Sequence, residues 1–77
     1  MVSHDDLTAK LLEAFPGAEI ACQDLTGGGD HWRVRIVASQ FSDISMLEQH
    51  QAVYKALGDW MAGPIHALSL DTSAPAE

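Results

Sequence analysis

Four histidines and one cysteine are the side chains of this sequence best suited to chemistry. His31 leaves a run of three glycines, Gly27-Gly28-Gly29, followed by Asp30. His66 stands in Ile65-His66-Ala67-Leu68, directly after Gly63-Pro64. A neutral imidazole is a good ligand for iron, zinc or copper. Two imidazoles fill only half of a tetrahedral shell, so such a pair needs a partner for the rest. No paired carboxylates, serine triad or phosphate-cradling motif accompanies them, and the chain reads as a binding protein, not an enzyme. The glycine run is followed by a strand, whereas a phosphate loop leads into a helix, so it reads as a flexible hairpin. His50 reads as a packing or capping residue of a helix, and His4 as inert near the terminus. Cys22 reads as a small buried hydrophobe. A single cysteine allows neither an intrachain disulfide nor a cysteine-only zinc site.

The elements that must position these residues follow from periodicity and punctuation. Ser3 is a fair N-cap, with Asp5 and Asp6 in the first turn. Leu7, Leu11, Ala14 and Phe15 then share one helical face, widened by Leu12, until Pro16-Gly17 stops the helix. A strand over about Ala18–Asp24 points Ile20 and Cys22 one way and Glu19, Ala21 and Gln23 the other. The clearest strand is Trp32–Val37, with Trp32, Val34 and Ile36 inward and Arg33 and Arg35 outward. As a hairpin, the two strands set Arg33 and Arg35 on the face of Glu19 and Gln23, a cross-strand charge match. Phe41-Ser42-Asp43-Ile44 is a turn that anchors the Phe41 ring. Ser45 and Glu48 form a capping box for a helix reaching about Ala62, with Leu47, His50, Val53, Tyr54, Leu57 and Met61 on its buried side. Gly58 ends the regular part early, and Gly63-Pro64 stops the helix. The last strand is Ile65–Thr72.

The order α-β-β-α-β gives a small α+β sandwich. A right-handed helical crossover sets the last strand parallel to Trp32–Val37 in a three-stranded mixed sheet, with the helices on one face. His31 and His66 then lie near the starts of adjacent parallel strands and meet at one edge.

With 77 residues, the chain has room for one domain with a modest core, residues 1–77, with about 72–77 as a fraying tail. Four Lys and Arg against eleven Asp and Glu give a formal charge of −7. Phosphate backbones repel such a chain unless its few cations cluster, so DNA binding is disfavoured. No stretch approaches the roughly 20 apolar residues of a membrane span. The acidic Met1-Val2-Ser3-His4-Asp5-Asp6 start lacks the features of a secretory signal, and with one thiol the expected compartment is the cytoplasm. Spacing alone supports a small acidic module with a binding function.

The ordered set Asp24-Leu25-Thr26-Gly27-Gly28-Gly29-Asp30-His31-Trp32, then Phe41, then Leu47 to Leu57 with Val53-Tyr54, then Ile65-His66-Ala67-Leu68, resembles the BolA family. The resemblance runs from about Leu7 to Pro75, its most specific piece being the terminal Ile-His-Ala-Leu strand followed by Thr72 and Pro75. It implies a fold like the class II KH domain, with a short extra helix. It implies partnership with a monothiol, CGFS-type glutaredoxin through a bridging [2Fe–2S] cluster, in iron–sulfur or iron homeostasis and stress response. In that arrangement the glutaredoxin gives a cysteine and bound glutathione gives another. The BolA-like protein gives the histidine of its terminal strand, here His66, and a residue of the hairpin loop, here His31. Cys22 does not match the loop cysteine of the other branch, because it precedes the loop. Gln49-His50-Gln51 stands where many members carry arginines. The family is also credited with DNA-binding transcriptional regulation, an alternative function that the charge of this chain opposes; a metal-free protein–protein module is a third. Alone, the chain is expected to be a monomer or a weak homodimer.

Overall fold

The structure, a computed structural model, describes residues 2–61, 63 and 65–75. The first helix, α1, spans His4–Ala14, and the Ser3 hydroxyl accepts the Asp6 N–H at 3.0 Å. Leu7 and Leu11 are buried on its inner side, and Phe15 follows just past its end. Ala14, placed on that face by spacing, is exposed. Strand β1, Glu19–Asp24, alternates as expected, with Ile20 and Cys22 facing in. Strand β2 covers His31–Val37 and buries Trp32, Val34 and Ile36. The two are antiparallel, Ile20 opposite Ile36 and Cys22 opposite Val34.

A 3-10 turn over Ser39–Phe41 then drives the Phe41 ring into the core, 5.1 Å from the Phe15 ring between centroids. The second helix, α2, spans Met46–Leu57, its Ser45 hydroxyl accepting the Glu48 N–H at 3.1 Å. Gly58 ends it at φ 53°, a backbone angle that side chains with a Cβ resist, and a 3-10 turn over Gly58–Met61 continues the chain. The expected helix end at Ala62 and the stop at Pro64 lie outside the described residues. Strand β3 runs Ala67–Ser73, parallel to β2, with Trp32 opposite Leu68 and Val34 opposite Leu70. The sheet order is β1-β2-β3. Leu7, Leu11, Val53 and Leu57 from the helices and Trp32, Val34 and Ile36 from β2 form one core, so both helices cover the same face. The fold is the expected α+β arrangement.

Three expectations need correcting. The buried stripe of α2 is Gln49, Val53 and Leu57; Leu47 and Tyr54 point outward, Leu47 at 67% exposure. Gln49 is tolerated inside because all its polar atoms are matched. Its amide donates to the Phe41 and Ile44 carbonyls at 3.4 and 3.2 Å, and its oxygen accepts the Thr72 hydroxyl at 2.7 Å. That bond also overturns a tail starting at Thr72: Thr72 is buried and β3 continues to Ser73. Ala76 and Glu77 of that tail lie outside the described residues. The charge match lies elsewhere too. Arg33 faces Gln23 and Arg35 faces Ala21, while Arg35 Nε lies 3.9 Å from Asp71 Oδ2 on β3.

Candidate metal centre

The loop from β1 to β2 is organised by one carboxylate. Asp24 Oδ1 accepts the amides of Thr26 at 3.2 Å and Gly27 at 2.9 Å, and Oδ2 accepts that of Gly29 at 2.9 Å. Gly27 and Gly29 turn at φ 81° and 74°, which lets their N–H groups converge on the side chain. The Leu25 N–H closes the hairpin on the His31 carbonyl at 2.9 Å. The glycine run is therefore tied down, not the loose hairpin that its composition suggests, because the strand before it ends on an acceptor with two oxygens free.

His31 is the first residue of β2, on the same side of the sheet as Arg33 and Arg35, and it pairs with Ala67 in register. His66 precedes β3 by one residue, a small correction to its expected place inside the strand. The Asp30 carbonyl fixes that junction by accepting the N–H groups of both His66, at 2.8 Å, and Ala67, at 3.1 Å. The two imidazoles consequently meet, as the parallel topology requires. Their centroids are 6.2 Å apart and their planes 80° apart, edge to face. His66 is 70% exposed and His31 42%.

Asp30 was not visible as part of this site in the sequence. Its carboxylate lies between the rings, Oδ1 3.1 Å from His31 Nδ1 and Oδ2 3.4 Å from His66 Nδ1. Oδ1 also accepts the Thr26 hydroxyl at 3.2 Å. The nearby His31 ring, more than any other influence, holds the Asp30 carboxyl below the ordinary carboxylate range. The signal that could have found it is an acid adjacent in sequence to a candidate ligand.

The other candidates stand apart. Among the described residues, no group of three His, Cys, Asp or Glu side chains is placed to hold a metal ion, so His4, His50 and Cys22 do not complete the pair. The His4 ring sits 6.4 Å from that of Trp32, beside Asp5. His50 keeps Nε2 buried and without a partner. Cys22 is half-buried on β1, where the Thr8 hydroxyl approaches its sulfur at 3.6 Å. Burial pushes its thiol up, which disfavours the thiolate that a metal would need.

The sequence model of the BolA-like protein family matches residues 12–77. The chain belongs to the BolA-like family. Within this family, it is 41% identical over 78 residues to BolA-like protein 1 of Mus musculus, covering 92% of this chain and 57% of that protein. It is 32% identical to the uncharacterized protein RP812 of Rickettsia prowazekii (strain Madrid E), covering 92% of both. The solved structure of BolA1 from Arabidopsis thaliana superposes with a TM-score of 0.86 at 25% identity, covering 95% of this chain and 92% of that one. The BolA-like chain thus spans little over half of its mouse relative, and its match covers 38% of the Bos taurus protein. No helix among the described residues is long and apolar enough to cross a membrane.

Proposed function

We propose that this BolA-like chain is an adaptor that binds a monothiol CGFS-type glutaredoxin and shares a bridging [2Fe–2S] cluster with it and with glutathione, in iron–sulfur homeostasis. The observation that carries the reading is the meeting of His31 and His66 at an exposed end of the sheet, 6.2 Å between centroids. The donor set fits the group: two neutral imidazoles supply half of a coordination shell, and an open rim leaves room for a partner to supply the thiolates. Family membership supports the same partner. When bound, such a cluster would supply a site whose reduction potential is raised by nitrogen ligands, as in Rieske-type centres. The chain's own part is to hold both rings at the rim and to leave them accessible. His66 is the principal ligand, being the more exposed, and His31 the second.

Titration of cluster-loaded glutaredoxin with this protein, followed by absorption and circular dichroism, tests the proposal. A new mixed-ligand spectrum is expected. His66→Ala should abolish it, His31→Ala should weaken or reshape it, and His50→Ala and Cys22→Ser should leave it intact. A wild-type spectrum from a folded His66→Ala protein would remove the assignment.

A further inference from the structure

We infer that Asp30 sets the tautomer of both histidines and so fixes Nε2, not Nδ1, as the atom that each presents to a ligand. The inference deepens the proposed use of His31 and His66 and rests on that reading for its functional consequence, though not for its geometry.

An ionised carboxylate has no hydrogen to give and can only accept. A ring nitrogen held against it is favoured when it carries the proton. Asp30 offers one oxygen to each ring, Oδ1 to His31 Nδ1 at 3.1 Å and Oδ2 to His66 Nδ1 at 3.4 Å, both oblique approaches. In a neutral imidazole the other nitrogen then keeps its lone pair. A second observation points the same way. His31 Nδ1 has no solvent exposure and no well-aligned hydrogen-bond partner, so an incoming group cannot reach it and the Asp30 carboxylate is the group it faces. The 42% exposure of that side chain lies on its other atoms. Metal-bound histidines commonly donate their second ring N–H to a carboxylate, which fixes tautomer and orientation together. Here a single carboxylate faces two rings. The same residue anchors the start of β3 through its backbone carbonyl. Asp30 is thus a positioning residue and not itself a ligand.

The backbone carbonyl is untouched by side-chain substitution, so Asp30→Asn and Asp30→Ala should fold. Two-bond proton–nitrogen correlation spectra of histidine-labelled protein, at a pH well above the ordinary histidine value of about 6.5, read the tautomers without any metal. The wild type should carry the proton on Nδ1 in both His31 and His66. Asparagine offers one oxygen and one NH2 group. Because the Thr26 hydroxyl and His31 both lie at Oδ1, the amide oxygen should stay there and turn the NH2 toward His66. His66 must then accept, and its proton moves to Nε2, while His31 is unchanged. Asp30→Ala should shift both rings toward Nε2–H. With cluster-loaded glutaredoxin, Asp30→Asn should capture about 10- to 100-fold more weakly. Wild-type rings protonated on Nε2, or an asparagine variant with both tautomers unchanged, would overturn the inference. If the tautomers behave as stated but the wild type leaves the cluster spectrum unaltered, the adaptor reading fails while the role of Asp30 in the free protein stands.

Discussion

One strand, β2, supplies two surfaces of opposite character. Its inward residues Trp32, Val34 and Ile36 are buried beneath both helices, whereas His31, Arg33 and Arg35 face away from them. Period-two alternation lets the same seven residues hold the domain together and leave a face available for contact. Stability and site chemistry should therefore respond to different substitutions, and the largest losses of stability should come from the covered face.

The largest effect belongs to the covered face. Leu57 is 1% exposed at the end of the α2 stripe. Leu57→Ala should cost about 2–5 kcal/mol through lost burial and a residual cavity, read as a lower urea midpoint. In a domain this small, that is a large share of the total stability. An unchanged midpoint would mean that α2 does not pack as described.

Next in size is the polar pair inside that face. Gln49→Ala leaves the buried Thr72 hydroxyl without its 2.7 Å partner and frees the Phe41 and Ile44 carbonyls. A loss of about 1–3 kcal/mol is expected. A double-mutant cycle with Thr72→Val should show clear coupling, and strict additivity would break the proposed link between α2 and β3.

These two residues also show what the sequence concealed. Alternation in Trp32–Val37 made β2, its inward set and the hairpin legible, and the helical crossover made the parallel pairing of β3 legible. The phase of α2 was not, because apolar Leu47 and Tyr54 look inward by type, while Gln49 looks outward. What admits Gln49 is a set of partners on Phe41, Ile44 and Thr72, 5 to 23 residues away in sequence. No local pattern carries that information. The site divides in the same way. His31 and His66 were legible as neighbours from topology, but the carboxylate between them needed the three-dimensional path of the loop.

The open face should be sensitive in other measurements. Asp24→Ala removes three backbone hydrogen bonds from the loop that delivers His31. The amides of Thr26, Gly27 and Gly29 should exchange faster, with a cost of only about 1–2 kcal/mol because most of the loop, Gly29 apart, is exposed. Equal exchange in mutant and wild type would show that the loop is held by something else. Arg35→Ala should cost at most about 1 kcal/mol, since its approach to Asp71 is solvent-exposed. Arg33 and Arg35 are two of only four strong cations on a chain of charge −7, so anisotropy of a labelled duplex should stay at its baseline at about 0.15 M salt.

The smallest effect returns to the covered face and concerns Cys22. Burial raises its thiol pKa, with the Thr8 contact opposing in part. Because the folded-state value lies above the unfolded one, the native state holds its proton longer. The associated stability is complete below the unfolded value and is lost as pH rises through the folded one. The group is only half-buried, so the alkaline slope should be shallow. Iodoacetamide modification gives the sharper reading. Its half-maximal pH should be higher in the native protein than in urea, whereas Cys22→Ser should flatten the alkaline stability limb and leave histidine tautomers untouched. A native thiol that reacts at lower pH than the unfolded one would place Cys22 in an electropositive setting, and the division between a covered structural face and an open chemical one would have to be redrawn through β1.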